Sequence, residues 1–464
     1  MLSQNNIRLV CLDDDPPGIQ NVHSCLLLTE WTDEAIDSAF RDSVPFFYIL
    51  TNTRAMTRKE AAEVTREAMR AVLRVNERYG YKLIFVSRSD SCLRGHFPLE
   101  TDVMHEVIRE GASSANSLPS KRITFFCPSF IEAGRFTKNG IHYLQDGDRL
   151  IPVHESEFAR DNVFAYHHSD LHDYIEEKLG TGDFLYHLLS LSDFQKQNAE
   201  GQAEMLASLM ASISETPSQV FIAIDAADYS HLYNFAAALL EYTKNSEGHI
   251  VIRSSSSLPK AISGIDDKPL LTANDLMAES DGGQQKPIFI VGYHVKKTTT
   301  QLENLLMCED TVGIELDIER ILNEPDALWQ EVCAQLKTLN SQHKTPVVYT
   351  SRKEVRLADA DQRQRLGQTV SDFLVSIVRR LPYRPSCIIA KGGITSHDIL
   401  THGLQIKTAR VMGQILSGVP CIRTGSDATF PNLPYIIFPG NVGTETALAE
   451  VQAPLGPHIR GEGV

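Results

Sequence analysis

The sequence lacks the features that mark secreted, zinc-binding and membrane-spanning proteins. Its eight cysteines are spread along the chain without a CxxC pair or a zinc-like spacing, and several lie in apolar runs, so we expect buried, reduced thiols. No apolar run approaches the roughly 18 residues of a membrane span. The N-terminal stretch "MLSQNNIRLV" has no basic region ahead of a long apolar one. We therefore expect a cytoplasmic protein with no signal peptide and no membrane partner.

The chain has no excess of basic residues either. Its 464 residues include 44 Lys and Arg against 59 Asp and Glu, which gives a net charge of -15. This balance argues against nucleic acid or an anionic membrane as the main partner. Anionic small ligands stay open, because local basic groups and backbone amides set the electrostatic field at a binding site.

Short β-branched and aromatic runs alternate with helical patterns along the chain, which predicts parallel βαβ units. One of the helices begins with a capping box of Thr57 and Glu60. The strands are expected at 7–12, 46–50, 82–87, 123–127 and 219–225 in the first half, and at 287–292, 312–316, 346–351, 386–390 and 435–438 in the second.

A polar stretch rich in Asp, Gly and Pro separates the two halves, and this composition is typical of a linker. The sequence therefore predicts an α/β protein with two α/β domains and mainly parallel sheets. We expect an N-terminal domain over 1–265, a linker over 266–285 and a C-terminal domain over 286–464, with the active site in the cleft between the domains.

Charged residues follow the first three predicted strands, where ligands bind in parallel sheets. Three adjacent carboxylates end the first strand in "LVCLDDDPPGIQ", and the next two strands are followed by "TNTR" and "SRSDSCLRGH". If these strands are neighbours, arginines offset the acidic repulsion and leave donors for an anionic, hydroxylated ligand. A structural network that only caps the sheet is the alternative. The residues concerned are Asp13, Asp14, Asp15, Asn52, Arg54, Arg88, Asp90, Ser91, Arg94 and His96.

The second half has glycine-rich turns between a strand and a helix, in "IAKGGITSHD" and "IIFPGNVGTETALAE". Glycine lets backbone amides approach a phosphate, and the helix start adds partial positive charge. The Walker lysine loop and the GxGxxG fingerprint are both absent. Two such turns in one domain favour a nucleotide phosphate site, although either could simply cap a helix.

These stretches resemble the four-carbon acid sugar kinase family, the two-domain ATP-dependent kinases of tetronate breakdown. The resemblance runs in chain order from near residue 9 to near residue 443. It rests on "LDDDPPGIQ", "SRSDSCLRGHFPLE", "FIEAGRFTKNGIHY", "PVHESEFARD", "GYHVKKTTTQLENLL", "VVYTSR", "KGGITSHDI" and "IIFPGNVG".

The resemblance implies that the N-terminal domain binds an acid sugar, that the C-terminal domain binds ATP with Mg²⁺, and that a hydroxyl of a tetronate or 3-oxo-tetronate is phosphorylated. It allows a homodimer. Asp14 and Asp15 take the catalytic positions, with Asp14 favoured as the base. Sugar-binding positions fall on Ser91 and Arg94, joined by Arg54. The nucleotide positions are Ser257, Gly392, Gly393, Ile394, Thr395 and Gly440, with Lys296 and Lys391 expected at the phosphates.

The chain departs from the family pattern at two positions on the sugar side. Pro17 stands where the family has a threonine, which removes a hydroxyl and a backbone donor, and Cys92 replaces a second threonine. The resemblance therefore constrains ATP use more than the identity of the sugar. A non-catalytic binder of nucleotide or acid sugar, a kinase with altered sugar specificity, and another two-domain enzyme such as an isomerase stay open. No metal-ligand cluster supports a metal-dependent isomerase, since His168 and His172 lack a third ligand.

Overall fold

The structure is a computed structural model. It describes residues 2–111, 121–180, 182–193, 199–213, 219–246, 248–277, 285–292, 295–352, 360–440 and 442–455. The chain divides into two compact units, Met1–Asp266 and Asp267–Val464. Among the described residues, no helix is both long and apolar enough to cross a membrane.

Unit 1 (Met1–Asp266) alternates strands and helices as the sequence predicts, except over 135–152, where three consecutive strands form a separate antiparallel sheet. Its strands are β1 Ile7–Asp13, β2 Leu26–Leu28, β3 Phe46–Leu50, β4 Lys82–Arg88, β5 Arg122–Cys127, β6 Arg135–Lys138, β7 Ile141–Asp146, β8 Arg149–Pro152, β9 Leu185–Leu189, β10 Gln219–Ile224 and β11 Ile250–Ser254. Its helices are α1 Asp33–Arg41, α2 Arg58–Asn76, α3 Leu99–Glu110, α4 Leu171–Leu179, α5 Ala199–Ser212, α6 Tyr229–Asn245 and α7 Ser257–Ser263.

The main sheet of unit 1 is parallel, with the strand order β2-β3-β1-β4-β11-β5-β10-β9. β1 is buried along its whole length, because helices cover both faces of a parallel sheet. The capping box of Thr57 and Glu60 is present at the start of α2. Asp13 pairs in register with Leu50 on one side and Arg88 on the other. The carboxyl ends of β3, β1 and β4 therefore meet at one edge.

Unit 2 (Asp267–Val464) repeats the alternation. Its strands are β12 Ile288–Val291, β13 Thr311–Leu316, β14 Thr345–Thr350, β15 Ile388–Lys391, β16 Thr408–Leu416, β17 Val419–Thr424 and β18 Pro434–Phe438. Its helices are α8 Ala273–Met277, α9 Lys296–Leu306, α10 Ile318–Asn323, α11 Pro325–Ser341, α12 Ala360–Arg379, α13 Gly393–Asp398 and α14 Ala447–Gln452.

The sheet of unit 2 is parallel from β13 through β14, β12 and β15 to β18. β17 and β16 then add to it as an antiparallel hairpin. The predicted fold class, α/β with mainly parallel sheets, is confirmed. The hairpin was not predicted, because the alternation in the second half of the sequence indicates only parallel βαβ units.

The predicted linker is not structureless in its described part. Helix α8 lies within it, and Leu271 and Leu276 are buried in the apolar core of unit 2. The polar composition of the stretch gave no indication that these two leucines are buried. Their burial ties the segment to unit 2, since a buried leucine is worth roughly 1.5–3 kcal/mol.

Candidate functional site

Asp14 lies just past the end of β1 and is bonded through both of its carboxylate oxygens. Arg54, in the turn after β3, donates to Oδ2 from Nε at 3.0 Å and to Oδ1 from Nη2. Ser89, just past β4, donates its hydroxyl to Oδ2 at 2.6 Å. Only 2% of Asp14 is exposed. These contacts confirm that arginine and carboxylate from neighbouring strands meet at this edge.

Asp15 is the more accessible of the two predicted catalytic carboxylates. Its side chain is 26% exposed, and Arg54 donates to its Oδ2 from Nη1 at 2.8 Å. Partial burial raises the pKa of Asp15 above its ordinary value, although Arg54 lowers it. From the sequence, Asp14 was favoured as the base, and only one of the two carboxylates was expected to reach the attacking hydroxyl because adjacent residues along a strand point in opposite directions. That alternation ends with β1 at Asp13, and both carboxylates contact Arg54.

Asp13 is fully buried and forms an ion pair with Arg88, whose Nη1 lies 3.1 Å from Oδ1. Burial raises its pKa to about 7, against the lowering effect of Arg88. Gly18 lies against this carboxylate, since a Cβ there would be 2.0 Å from both oxygens. The glycine of "DDDPPG" is therefore required by Asp13.

Arg94 lies at the same edge and pairs with two carboxylates. It donates to Asp90 from Nε at 2.8 Å, its Nη1 lies 3.5 Å from Asp161, and its guanidinium lies over the ring of Phe158. Burial opposes the ionisation of Asp90, but Arg54 and Arg94 outweigh it and hold the pKa of Asp90 well below its usual range.

Ser91 is buried, and its carbonyl oxygen lies 2.8 Å from Nε2 of His142. This predicted sugar-binding residue therefore lies beside Asp90, and its backbone carbonyl is bonded to His142.

Two residues at this edge escaped the sequence analysis. One is Ser89, described above. The other is Gly95, where a Cβ would lie 2.7 Å from Oγ of Ser89 and 3.1 Å from Oδ2 of Asp14. The glycine in "CLRGH" was the available signal, since an unexplained glycine often marks a close approach.

Ser257 begins α7 in unit 1 and is fully buried. Its hydroxyl donates to Glu132 at 2.7 Å and accepts from the amide of Ile131 at 2.9 Å. The serines of "RSSSSLPK" are buried rather than exposed in a solvated turn. This predicted nucleotide residue is therefore held by partners within unit 1.

The first glycine turn of unit 2 follows β15. Gly392 has a φ of +112°, a region that favours glycine, and Gly393 begins α13. Ile394 is 68% exposed, whereas Thr395 is buried against Gly292, where a Cβ would lie 2.4 Å from Oγ1 of Thr395.

Lys391, which was expected at the phosphates, is fully buried at the end of β15. Its Nζ donates to the carbonyl of Pro439 at 2.7 Å and lies 4.1 Å from the ring centre of Phe438. Burial, with a smaller contribution from Lys297, lowers the pKa of Lys391 to about 7. It joins the first glycine turn to the second.

The second glycine turn follows β18. The carbonyl of Gly440 accepts a hydrogen bond from Oγ1 of Thr298 on α9 at 3.1 Å. Gly443 has a φ of +86°. Lys296 is exposed at the first residue of α9.

Among the described residues, a group that could hold a metal ion consists of Asp170, His172 and Asp173 at the start of α4. Asp170 caps this helix by accepting from the amides of His172 and Asp173. The cluster is thus explained as a helix cap, and His168 is not part of it.

Two family models match the chain in order. One is described as a sugar-binding N-terminal domain and covers residues 9–262, and the other as a nucleotide-binding C-terminal domain and covers residues 288–448. The chain belongs to the four-carbon acid sugar kinase family. The charged edge of unit 1 lies in the sugar-binding domain of this family member, and both glycine turns lie in its nucleotide-binding domain.

Two solved structures share the fold of this family member. Protein HI1011 of Haemophilus influenzae is 18% identical, with a TM-score of 0.65 over 96% of this chain and 99% of its own. A protein of Salmonella typhimurium LT2, described only provisionally as a tRNA synthase, is 15% identical, with a TM-score of 0.67 over 97% and 99%. At this identity the likeness concerns the fold alone. The comparison with curated proteins gave no match.

Proposed function

We propose that this protein is an ATP-dependent kinase that phosphorylates a hydroxyl of a four-carbon acid sugar, a tetronate or 3-oxo-tetronate. The observation that carries the proposal is the group of Asp14, Asp15 and Arg54 at the end of β1, within the sugar-binding domain. A kinase needs a base for the attacking hydroxyl and groups that orient the sugar. Both are available at this edge.

We assign the general base to Asp15 rather than Asp14. Asp15 has a partly exposed side chain and a raised pKa, and one of its oxygens accepts a hydrogen bond from Arg54. Asp14 already accepts from Arg54 and Ser89 with both oxygens, so its role is to fix the guanidinium of Arg54. Arg94, which is partly exposed, is the group for the sugar carboxylate, since arginine matches carboxylate geometry.

The nucleotide phosphates are assigned to the two glycine turns of unit 2. Gly392 and Gly443 both have positive φ, which lets the backbone approach a ligand where a side chain would stand. Exposed Lys296 begins α9 and supplies charge to the same phosphates, while buried Lys391 holds the turns together. Mg²⁺ bound to the phosphates of ATP would neutralise charge that develops during transfer.

The test is ADP release with Mg-ATP over a panel of four-carbon acid sugars. We expect release with at least one tetronate or 3-oxo-tetronate and none without a sugar. The Asp15→Asn variant with the same sugar is the matched control for the assignment of the base. Tight binding of a sugar or nucleotide with no ADP release over the panel would contradict the proposal.

A non-catalytic binder is the second candidate, and Pro17 is the observation that favours it. Pro17 lies in the turn that follows Asp15, and it brings neither a hydroxyl nor a backbone donor to the sugar side. The same panel separates the candidates, because a binder gives a calorimetric signal without ADP. Pro17→Thr restores the hydroxyl, and a gain of turnover only in that variant would favour the binder.

A further inference from the structure

Helix α9 carries three polar side chains, spaced three residues apart, that hold the second glycine turn by its carbonyl oxygens. Thr298 donates to Gly440, Gln301 donates to Val442 at 3.0 Å and to Thr444 at 2.7 Å, and Asn304 donates to Glu445 at 3.0 Å. We call Thr298, Gln301 and Asn304 the α9 stripe. Lys391 adds a fifth contact, to the carbonyl of Pro439.

Gln301 is the central member of the stripe. It is fully buried, and its amide nitrogen serves two carbonyls at once. Its Oε1 has no partner among the described residues. Because the flipped amide would place Oε1 against two carbonyl oxygens, the turn alone fixes the orientation of this side chain.

Because the carbonyls of the second glycine turn point toward α9, the amides of the same peptide groups point away from this helix. In a trans peptide, C=O and N–H point in opposite directions. The carbonyls of Val442, Thr444 and Glu445 point toward α9, so the amides of Gly443, Glu445 and Thr446 point away from it. These residues are exposed, and within the described part of the chain the three amides have no partner. Outward amides that lie close together in a turn, two of them consecutive here, form sites that bind anions.

We propose that the α9 stripe consists of positioning residues that preorganise the amides of Gly443, Glu445 and Thr446 for a nucleotide phosphate. The proposal rests on the proposed nucleotide site and names the groups that shape it. A stripe that only joined α9 to the neighbouring turn would stabilise unit 2 without affecting the affinity for a phosphate ligand.

The test compares Gln301→Met with Glu303→Gln in the full chain. Methionine keeps the length and burial of Gln301 but removes both donors, whereas Glu303 is exposed on the same helix and serves as the matched control. We expect Gln301→Met to bind Mg-ADP about tenfold more weakly by calorimetry, because the carbonyls of Val442 and Thr444 lose the donor that orients them. In ADP-release assays the KM for ATP should rise more than kcat falls.

Hydrogen exchange of the segment around 442–446 gives a readout that needs no ligand, and it should be faster in Gln301→Met only. Faster exchange with unchanged Mg-ADP affinity would overturn the proposal and leave a structural role. If the wild type binds Mg-ADP but releases no ADP with any sugar, the kinase proposal fails while the stripe is still tested by affinity. Thr298→Val, which removes one donor at nearly constant shape, should weaken Mg-ADP binding several-fold even if Gln301→Met does not fold.

Discussion

At the end of β1 in unit 1, three carboxylates lie beside the arginines that pair with them. At the ends of β15 and β18 in unit 2 the chain instead has glycines and backbone amides, and the neutral side chains of Thr298 and Gln301 donate to the carbonyl oxygens of the second turn. As a proposed sugar site, the first arrangement would recognise its ligand by charge and by the directions of side chains. As a proposed nucleotide site, the second would recognise its ligand by the shape of the backbone. Ligand binding by unit 1 should therefore respond to charge substitutions, and ligand binding by unit 2 to substitutions that change the path of the chain.

The largest effect is expected from Asp15→Asn, which removes the proposed base while keeping the size of the side chain. Turnover with the identified acid sugar should fall about a hundredfold to ten-thousandfold, the usual range for loss of a general base. Binding of Mg-ADP should be unchanged, because the proposed nucleotide groups lie in unit 2. Asp14→Asn is the comparison, and we expect it to raise the KM for the sugar by releasing Arg54. Full turnover in Asp15→Asn would reject the assignment.

The next effect concerns Asp13 and the dependence of stability on pH. Its folded pKa of about 7 lies above the ordinary value of 3.8, so between these values the folded state holds a proton that the unfolded state has lost. The free energy of unfolding should therefore fall as pH rises from about 4 to 7, by an amount on the order of a few kcal/mol. Urea unfolding across this range should show the slope in the wild type and lose it in Asp13→Asn. If the free energy of unfolding depended on pH in the same way in the wild type and in Asp13→Asn, the raised pKa of Asp13 would be contradicted.

Lys391 provides the opposite slope in unit 2. Its folded pKa of about 7 lies below the ordinary 10.5, so between these values the unfolded state holds the extra proton. Stability should rise with pH from about 7 to 10.5, again by an amount on the order of a few kcal/mol. Lys391→Met should flatten this rise in urea unfolding, and Lys337→Met on an exposed helix position should not. If the free energy of unfolding still rose with pH in Lys391→Met, other titrating groups would be responsible for the rise.

A smaller effect is expected from a single methyl group in the second glycine turn. Gly443 has a φ of +86°, and a Cβ there would lie 2.4 Å from Cβ of Ala447. Gly443→Ala should weaken Mg-ADP binding about tenfold, since such strain costs roughly 1–3 kcal/mol. Gly367→Ala is the matched control, because a Cβ at that position meets no atom within 4 Å. Equal calorimetric affinity in the two variants would contradict a backbone site at this turn.

Much of the fold was predictable because its signals are local. The capping box at Thr57 and the apolar strand runs depend on residues close together in sequence, and the structure bears them out. The meeting of Arg54 with Asp14 was predictable as well, since neighbouring strand ends share an edge. The roles of Gln301 and Ser257 were not. Their partners Val442 and Glu132 lie 141 and 125 positions away, and nothing local in the sequence pairs them.

The most direct test of the comparison measures both ligands in one variant from each unit. Arg94→Ala removes a charge from the proposed sugar site, and Gly443→Ala changes the backbone of the proposed nucleotide site. Calorimetry should show the acid sugar bound about tenfold more weakly by Arg94→Ala with Mg-ADP affinity unchanged, and the reverse for Gly443→Ala. If either variant lost both ligands equally, or if each lost the ligand assigned to the other unit, the division into a charged sugar site and a backbone nucleotide site would be contradicted.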